Sequence, residues 1–258
     1  MRYFITLRYL GKAYCGWQRQ PDVPTVQQTV DEALATLLRE PVSVTGAGRT
    51  DTGVNASYYV AHFDLSAPAA DLPQLLRKLN FLLPGDISVS AIRPVRPDAH
   101  ARFDACEREY SYFLEPRKNP FSRDLTWQYY VPLDFAKMNC AAAALLEFDD
   151  FTSFAKLNSN NRTSICRVNH ALWEEQPDGV WRFTIRADRF LRNMVRSIVG
   201  TLVDVGRGRY SVEEFRDIIA ARDLSRSSAG APAQGLFLSG VRYPDAVFDI
   251  ETCCTTTI

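Results

Sequence analysis

The chain has 258 residues, of which 46% are hydrophobic, so it can bury a substantial core as one large domain or as two fused domains. Thirty basic and thirty acidic residues cancel, so any binding of nucleic acid must depend on where the charges lie. No apolar run reaches the roughly 18 residues of a membrane-spanning helix and residues 1–7 resemble a strand rather than a signal peptide, so we expect a cytoplasmic protein without a membrane segment.

The first half of the chain alternates between strand and helix patterns. Strands are predicted at 2–9, 42–46, 57–64 and 87–93. Thr25 and Gln28 have the spacing of a capping box, which predicts a helix that begins after Thr25. A second helix is predicted at 72–82, between the last two strands.

The second half repeats this kind of pattern. Strands are predicted at 109–115, 127–131, 168–175, 180–187 and 236–242, with a hairpin turn at 177–179. Helices are predicted at 134–146, at 189–205 and after Ser211. Segments 116–124 and 223–235 are rich in proline, serine, glycine and arginine, which is typical of loops.

This order of elements predicts an α+β fold with two α/β lobes that share a mixed, largely antiparallel sheet. We place the N-terminal lobe at 1–105 and the C-terminal lobe at 106–245. The tail at 246–258 has no clear pattern.

The segment 46–56 is the most informative part of the chain. It contains three glycines, Arg49 and Asp51, and it has almost no apolar content. Glycine permits unusual backbone conformations and close approach of a partner, and a carboxylate beside a guanidinium suits a reactive acid that is held ionised. The alternative is a tight Asx turn between two strands with a surface ion pair.

Arg196 is an anomaly in the predicted helix 189–205. It falls between Val195 and Ile198 beside a broad apolar face, where an arginine is costly unless it is paired with a carboxylate. Asp51 is the simplest partner, although an arginine that extends its head group to solvent has the same pattern.

Basic residues concentrate in two stretches. The first stretch contains Arg93, Arg96, Arg102, Arg108, Arg117, Lys118 and Arg123. The second contains Arg182, Arg186, Arg189, Arg192, Arg196, Arg207 and Arg209. Arginine is much commoner than lysine there, which favours bidentate contacts with phosphates and bases. A cationic groove is one interpretation, and a solvated surface of mixed charge is the other.

Metal, disulfide and cofactor chemistry have no sequence support. The six cysteines lack C-x-x-C spacing, the three histidines show no triad or ligand spacing, and no dinucleotide or P-loop motif stands in its required context. We therefore expect no cofactor.

Seven blocks of this sequence resemble the tRNA pseudouridine synthase A (TruA) family. They are 14–20, 48–54, 80–87, 100–103 with 108–112, 150–154, 190–200 and 232–238. The block at 48–54, Gly-Arg-Thr-Asp-x-Gly-Val, resembles the family's catalytic signature, which implies that Asp51 is the catalytic aspartate. Two positions depart from the family pattern: Asn55 replaces the usual histidine and Glu109 replaces the usual basic residue.

The resemblance implies roles for several side chains. It implies an ion pair between Arg196 and Asp51 and a stacking role for Tyr110 on the target base, although tyrosines on a strand such as Tyr110 and Tyr112 most often belong to the core. Arg49 would fill the space of the flipped base or hold a neighbouring phosphate. Further contacts with RNA are expected from Arg19, Arg189 and Arg192.

The activity implied is the isomerisation of uridine to pseudouridine at positions 38 to 40 of the tRNA anticodon stem-loop, by a homodimer in which one tRNA touches both subunits. Two rivals come from other classes. A non-catalytic RNA-binding protein on the same scaffold is favoured only if the aspartate is absent. A hydrolase with Asp51 as its acid needs a second carboxylate or a metal cluster, and no such motif is visible.

Overall fold

A mixed β-sheet forms the centre of the computed structural model, which describes residues 1–156 and 163–248. The strands in these residues are β1 (Arg2–Tyr9), β2 (Thr45–Gly46), β3 (Asn55–Asp64), β4 (Ile87–Pro94), β5 (Glu107–Glu115), β6 (Trp127–Gln128), β7 (Val168–Glu175), β8 (Trp181–Ala187) and β9 (Leu236–Arg242). The α-helices packed on the sheet are α1 (Val26–Leu38), α2 (Leu72–Leu82), α3 (Phe135–Ala144), α4 (Met194–Gly206) and α5 (Val212–Ala220). The predicted α+β fold class is confirmed.

The strand order is β4-β1-β3-β9-β5-β8-β7, with β2 added to β3 and β6 added to β5. Most neighbours are antiparallel, and the exceptions are β3 with β9 and β5 with β6. The two halves of the sheet meet at β3 and β9, which pair through Asn55 with Phe237 and Ala56 with Leu238. This short parallel joint begins four residues after Asp51, so it holds the glycine-rich loop at the centre of the sheet's edge.

Side-chain caps explain where the predicted helices begin. The Thr25 hydroxyl accepts a hydrogen bond from the Gln28 backbone N–H, which is one half of the capping box predicted for α1, whereas the Gln28 side chain donates to Glu32 instead. The Asp71 carboxylate caps α2 in the same way, through Gln74. At α5, Ser211 and Glu214 form a complete capping box.

Two clusters of buried side chains form the cores. One lies among β1, β3, β4, α1 and α2, and the other among β5, β7, β8, α3, α4 and α5. Strand β9 contributes to both, because Leu236 joins the second cluster while Leu238 and Val241 join the first. The lobe boundaries at 105 and 245 therefore stay a prediction. None of the helices in residues 1–156 and 163–248 is long and apolar enough to cross a membrane.

Three elements differ from their predicted lengths. Strands β2 and β6 are two residues long instead of spanning 42–46 and 127–131. Helix α4 begins at Met194 rather than at 189, because Asn193 has a left-handed backbone with φ of 66° that cannot continue a helix. The residues ahead of it therefore form a turn, and this turn carries Arg192 into the site described below. In the predicted tail, Val247 is buried in a short 3-10 turn, and 249–258, with Cys253 and Cys254, lie outside the described residues.

Candidate active site

The glycine-rich loop between β2 and β3 is fixed by the segment 9–17. The Thr50 carbonyl accepts a hydrogen bond from the Trp17 N–H at 3.3 Å, and the Thr50 hydroxyl bonds the Tyr9 hydroxyl at 2.9 Å. Gly16 has φ of 88°, and a Cβ there would lie 2.3 Å from the Thr50 carbonyl oxygen, so only glycine allows this approach. The backbone immediately ahead of Asp51 is therefore held in one position.

Packing explains the first glycine of the loop. A Cβ on Gly46 would lie 2.0 Å from the Tyr59 hydroxyl and 2.6 Å from the Trp17 indole nitrogen. The two rings stack with their centroids 4.1 Å apart, and the Tyr59 hydroxyl donates to the Gly48 carbonyl. Gly46 is thus needed for close packing within the protein, whereas the sequence suggested approach of a partner.

Asn55 ties the end of the loop to two other segments. Its side-chain oxygen accepts from the Gly11 N–H at 2.8 Å, and its amide nitrogen donates to the Gln234 carbonyl at 2.8 Å. The side chain is almost completely buried. A neutral imidazole also offers one acceptor and one donor nitrogen, which explains how asparagine can stand where the family pattern has histidine. Asn55 is therefore a structural link, and its departure from that pattern does not remove an exposed RNA contact.

This link makes a testable prediction. Asn55→Leu keeps the size of the side chain but leaves the buried Gly11 N–H and Gln234 carbonyl without partners, so we expect a loss of about 2–4 kcal/mol in the free energy of unfolding. Asn55→His, which retains a donor and an acceptor, should lose clearly less. Urea denaturation of both variants measures the difference, and equal losses would contradict the linking role.

Asp51 lies at the surface of this fixed loop with 28% of its side chain exposed. The Arg192 Nε is 3.5 Å from the Asp51 carboxylate oxygen Oδ1. Arg192 reaches it because it belongs to the turn ahead of α4 and not to the helix. The carboxylate is thus paired with a cation and open to solvent on one side, which is the arrangement a reactive acid requires.

The predicted ion pair between Arg196 and Asp51 is not formed. Arg196 is the one residue of α4 that is not fully buried, and its Nε donates to the Ala231 carbonyl at 2.6 Å. The Ala231 N–H in turn donates to the Arg196 carbonyl at 2.9 Å. The guanidinium therefore meets a main-chain acceptor in the loop before β9 and needs no carboxylate, so Arg192 takes the place beside Asp51.

Arg196 still acts on the catalytic loop through the segment 231–235. This segment contacts the loop through the bond between Asn55 and Gln234. The Tyr112 hydroxyl, fully buried as the sequence predicts for a core residue, donates to the Pro232 carbonyl at 2.9 Å. Arg196 and Tyr112 therefore fix the segment 231–235, which is bonded in turn to Asn55 at the end of the Asp51 loop.

Tyr110 lies on β5, within electrostatic range of Asp51. Its ring packs edge-on against Phe190 with the centroids 5.1 Å apart. Burial raises the pKa of Tyr110 to about 12; the charge of Arg108 opposes this rise and the charge of Asp51 adds to it. The phenol is therefore neutral at physiological pH, and it is close enough to Asp51 for the two groups to interact electrostatically.

Arg108 is a structural residue, although it belongs to the first of the two basic stretches for which a cationic groove was one interpretation. Its guanidinium donates to four main-chain carbonyls, at Ala47 in the glycine-rich loop, at Arg102, at Ala105 and at Asp188. Burial lowers its pKa. Arg108 thus joins the glycine-rich loop to the turn at 102–105 and to Asp188. The alternation of β5 contains the signal, because positions 108, 110 and 112 share one face of the strand.

Most arginines of the second basic stretch are neutralised. Five of the seven form ion pairs, which are Arg182 with Glu174, Arg186 with Glu109, Arg192 with Asp51, and both Arg207 and Arg209 with Asp204. Burial alone would raise the pKa of Glu109, but hydrogen bonds from Arg186 and Ser239 lower it below its usual range. Glu109 therefore neutralises Arg186 on the neighbouring strand β8, and these ion pairs favour the interpretation of the stretch as a surface of mixed charge.

Arg49, Arg19 and Arg189 are the remaining predicted site residues. Arg49 is exposed two positions before Asp51, and Arg19 is exposed in the turn that follows Trp17. Arg189 is half-buried. Burial raises the pKa of Cys166 to about 12, and the positive charge of the nearby Arg189 opposes this rise. The structure thus brings together Asp51, Arg192 and Tyr110. Among the described residues, no cluster of histidine, cysteine and acidic side chains is suited to a metal ion.

Comparison with known proteins gives the class and then the family. A family model described as tRNA pseudouridine synthase matches residues 141–244, and the mixed sheet with its packed helices is the pseudouridine synthase fold. Proteins named tRNA pseudouridine synthase A match nearly the whole chain: one from Parabacteroides distasonis is 51% identical over 97% of this chain and 99% of its own length. One from Bacteroides fragilis is 50% identical over 96% and 98%, and one from Neisseria meningitidis serogroup C is 41% identical over 95% and 93%. The chain belongs to the tRNA pseudouridine synthase A family.

Proposed function

We propose that this chain converts uridine to pseudouridine at positions 38 to 40 of the tRNA anticodon stem-loop, with Asp51 as the catalytic carboxylate. As a member of its family the chain is an isomerase that modifies tRNA. The observation that carries the finer proposal is the placement of Asp51, which is partly exposed, paired with Arg192 and held on a loop fixed from both sides.

The reaction breaks the glycosidic bond between C1′ and uracil N1, turns the base and forms a bond between C1′ and C5. The C5 proton leaves, N1 gains a proton, and no electrons are gained or lost overall. Two paths suit a fixed carboxylate: Asp51 attacks as a nucleophile, or it stabilises positive charge on the sugar. Both use the negative charge of the carboxylate, which the Arg192 guanidinium faces at 3.5 Å.

Other side chains bind and orient the RNA in this proposal. Tyr110 stacks on the uracil that has left the helix, and its neutral hydroxyl can donate a hydrogen bond. Arg49 fills the space of the flipped base or holds the adjacent phosphate, and Arg19 and Arg189 contact phosphates farther along the strand. Arg196 is a positioning residue, because it supports the Asp51 loop through Ala231.

Two substitutions of Tyr110 distinguish stacking on the base from transfer of a proton. Tyr110→Phe retains the ring, so we expect turnover within about tenfold of the native rate, whereas Tyr110→Leu should lose about 5- to 150-fold because a stacked base is worth roughly 1–3 kcal/mol. A pKa of about 12 means that almost no phenolate exists below about pH 10. The native rate should therefore show no inflection from this group between about pH 6 and pH 10, and equal rates for the two variants would refute stacking.

Release of tritium from tRNA labelled at uracil C5 tests the activity. An isomerase frees this label because the new bond forms at C5, whereas a hydrolase or a non-catalytic binding protein leaves it in place. Labelled tRNA with cytidine at 38 to 40 is the matched control. No release from the native tRNA would overturn the proposed function.

We also propose that the enzyme acts in the cytoplasm as a homodimer in which one tRNA contacts both subunits. Its membership of a tRNA-modifying family supports the compartment, and the resemblance set out above supports the assembly. Light scattering of the protein alone and with tRNA gives the number of subunits in each complex.

A further inference from the structure

Phe121 is almost fully exposed at the tip of the loop between β5 and β6. The exposed fraction of this residue is 94%. Arg117, Lys118 and Arg123, which are also exposed, lie on either side of it in the sequence. A single exposed aromatic ring is common on protein surfaces, so only the surroundings of Phe121 can indicate a function.

A buried carboxylate holds this loop in shape. Glu115 is only 4% exposed and accepts hydrogen bonds from the Asn119 amide at 3.0 Å, from the Ser122 hydroxyl and from the Thr126 hydroxyl at 3.2 Å. These donors lie on both sides of Phe121 in the sequence. Since a buried charge is tolerated only when its bonds are satisfied, the loop is organised around Glu115.

Asn119 also fixes the backbone at the tip. Its side-chain oxygen accepts from the Phe121 N–H at 3.0 Å, and its carbonyl accepts from the Gln128 side chain. The exposed ring therefore projects from an ordered turn and not from a loosely held segment. A group fixed in advance binds with a smaller loss of conformational entropy.

The loop lies at the same edge of the sheet as Asp51. Strand β5 is antiparallel to β9 and β3 is parallel to β9, so the end of β5 and the beginning of β3, where the catalytic loop ends, lie at the same edge of the sheet with β9 between them. Lys12 connects the two regions, because its Nζ lies 2.8 Å from an Asp124 carboxylate oxygen. The adjacent Gly11 is bonded to Asn55.

The segment 116–124 carries a net positive charge, with three basic residues and one acidic residue. Asp124 is the one acidic residue in the segment 116–124, and it is paired with Lys12 at 2.8 Å and with Arg123 at 3.7 Å. The Arg117 guanidinium donates to the Asp178 carbonyl, which orients it without neutralising it. An exposed ring among cations is the combination that binds unpaired nucleotides, in which bases stack and phosphates pair with the cations.

We propose that residues 116–124 form an additional RNA-contact site, at which Phe121 stacks on a base other than the isomerised uridine and Lys118 binds a neighbouring phosphate. The proposal rests on the proposed function, since it takes tRNA as the ligand. A second copy of this chain is less suitable as the occupant, because a two-fold contact at the tip would bring the same cations of both copies together.

Measurement of tRNA affinity and turnover in three full-length variants tests this site. Phe121→Ala should weaken the binding of tRNA by about 5- to 150-fold, the range of a lost base stack, while kcat at saturating tRNA stays within about twofold. Phe121→Trp should restore the affinity. Phe121→Leu should not, because it is apolar but cannot stack.

Phe81 on α2 is the matched control, since it is 95% exposed. Phe81→Ala should leave affinity unchanged, and an equal loss there would overturn the proposal, as would native affinity in Phe121→Ala. Light scattering measures the number of subunits in Phe121→Ala. A change from the native number would show that the ring contacts protein and not RNA, which would also overturn the proposal. Failure of the native enzyme to release tritium would reject the proposed function, whereas native tritium release with unchanged binding in Phe121→Ala would reject this site alone.

Discussion

Asp51→Asn is expected to lower pseudouridine formation by a factor on the order of 10⁴ or more, while the affinity for tRNA changes by no more than a few fold. The amide has the shape of the carboxylate but carries no charge, so it can neither attack the sugar nor stabilise a cation there. Folding should be unaffected, because the ion pair with Arg192 is partly exposed and such pairs contribute little to stability. Single-turnover kinetics and filter binding measure the two quantities.

Asp64→Asn is the matched control for this substitution. Asp64 ends the same strand, β3, at the far end from the catalytic loop, and it forms an exposed ion pair with Arg2 at 2.8 Å. This variant should turn over at the native rate. Appreciable turnover by Asp51→Asn would mean that another group performs the chemistry.

The second large effect distinguishes Arg192 from Arg196. Arg192→Met should slow turnover by about 10- to 100-fold with little change in melting temperature, because it removes the cation beside Asp51 but breaks no buried contact. Arg192→Lys should recover part of the rate, since lysine keeps the charge but not the planar geometry.

Arg196→Met should differ in kind. It leaves the Ala231 carbonyl without its donor, so we expect a loss of about 1–3 kcal/mol in the free energy of unfolding together with a slower rate. Thermal denaturation beside kinetics separates the two variants. A native rate in Arg192→Met, with a large rate loss in a stable Arg196→Met, would restore Arg196 as the partner of Asp51.

Local pattern was sufficient to predict the fold class and most of the elements. Strands β1, β5 and β7, the cap at Thr25 and the start of α5 after Ser211 depend on residues within a few positions of one another, and all are present. The predicted start of α4 at residue 189 was wrong, because apolar periodicity continues through 189–193 while Asn193 adopts a left-handed backbone. Periodicity does not report the backbone angle of one residue.

The site required information that local pattern does not contain. Arg196 was predicted to need a carboxylate, but its acceptor is a carbonyl 35 residues away, in a loop whose course the sequence does not specify. The stretch of arginines looked cationic because Glu109 lies 77 residues from Arg186 in sequence and opposite it in the sheet. Asn55 was read as a departure from a family pattern, and only its bonds to Gly11 and Gln234 explain it.

Mapping of pseudouridine in a tRNA transcript is the most direct test of the account. The transcript would be incubated with the native protein or with Asp51→Asn, treated with a carbodiimide that marks pseudouridine, and read by primer extension. If Asp51 catalyses the reaction, primer extension should stop at one or more of positions 38 to 40 with the native protein and at none of them with the variant. Stops at other positions only, or identical stops with Asp51→Asn, would contradict it.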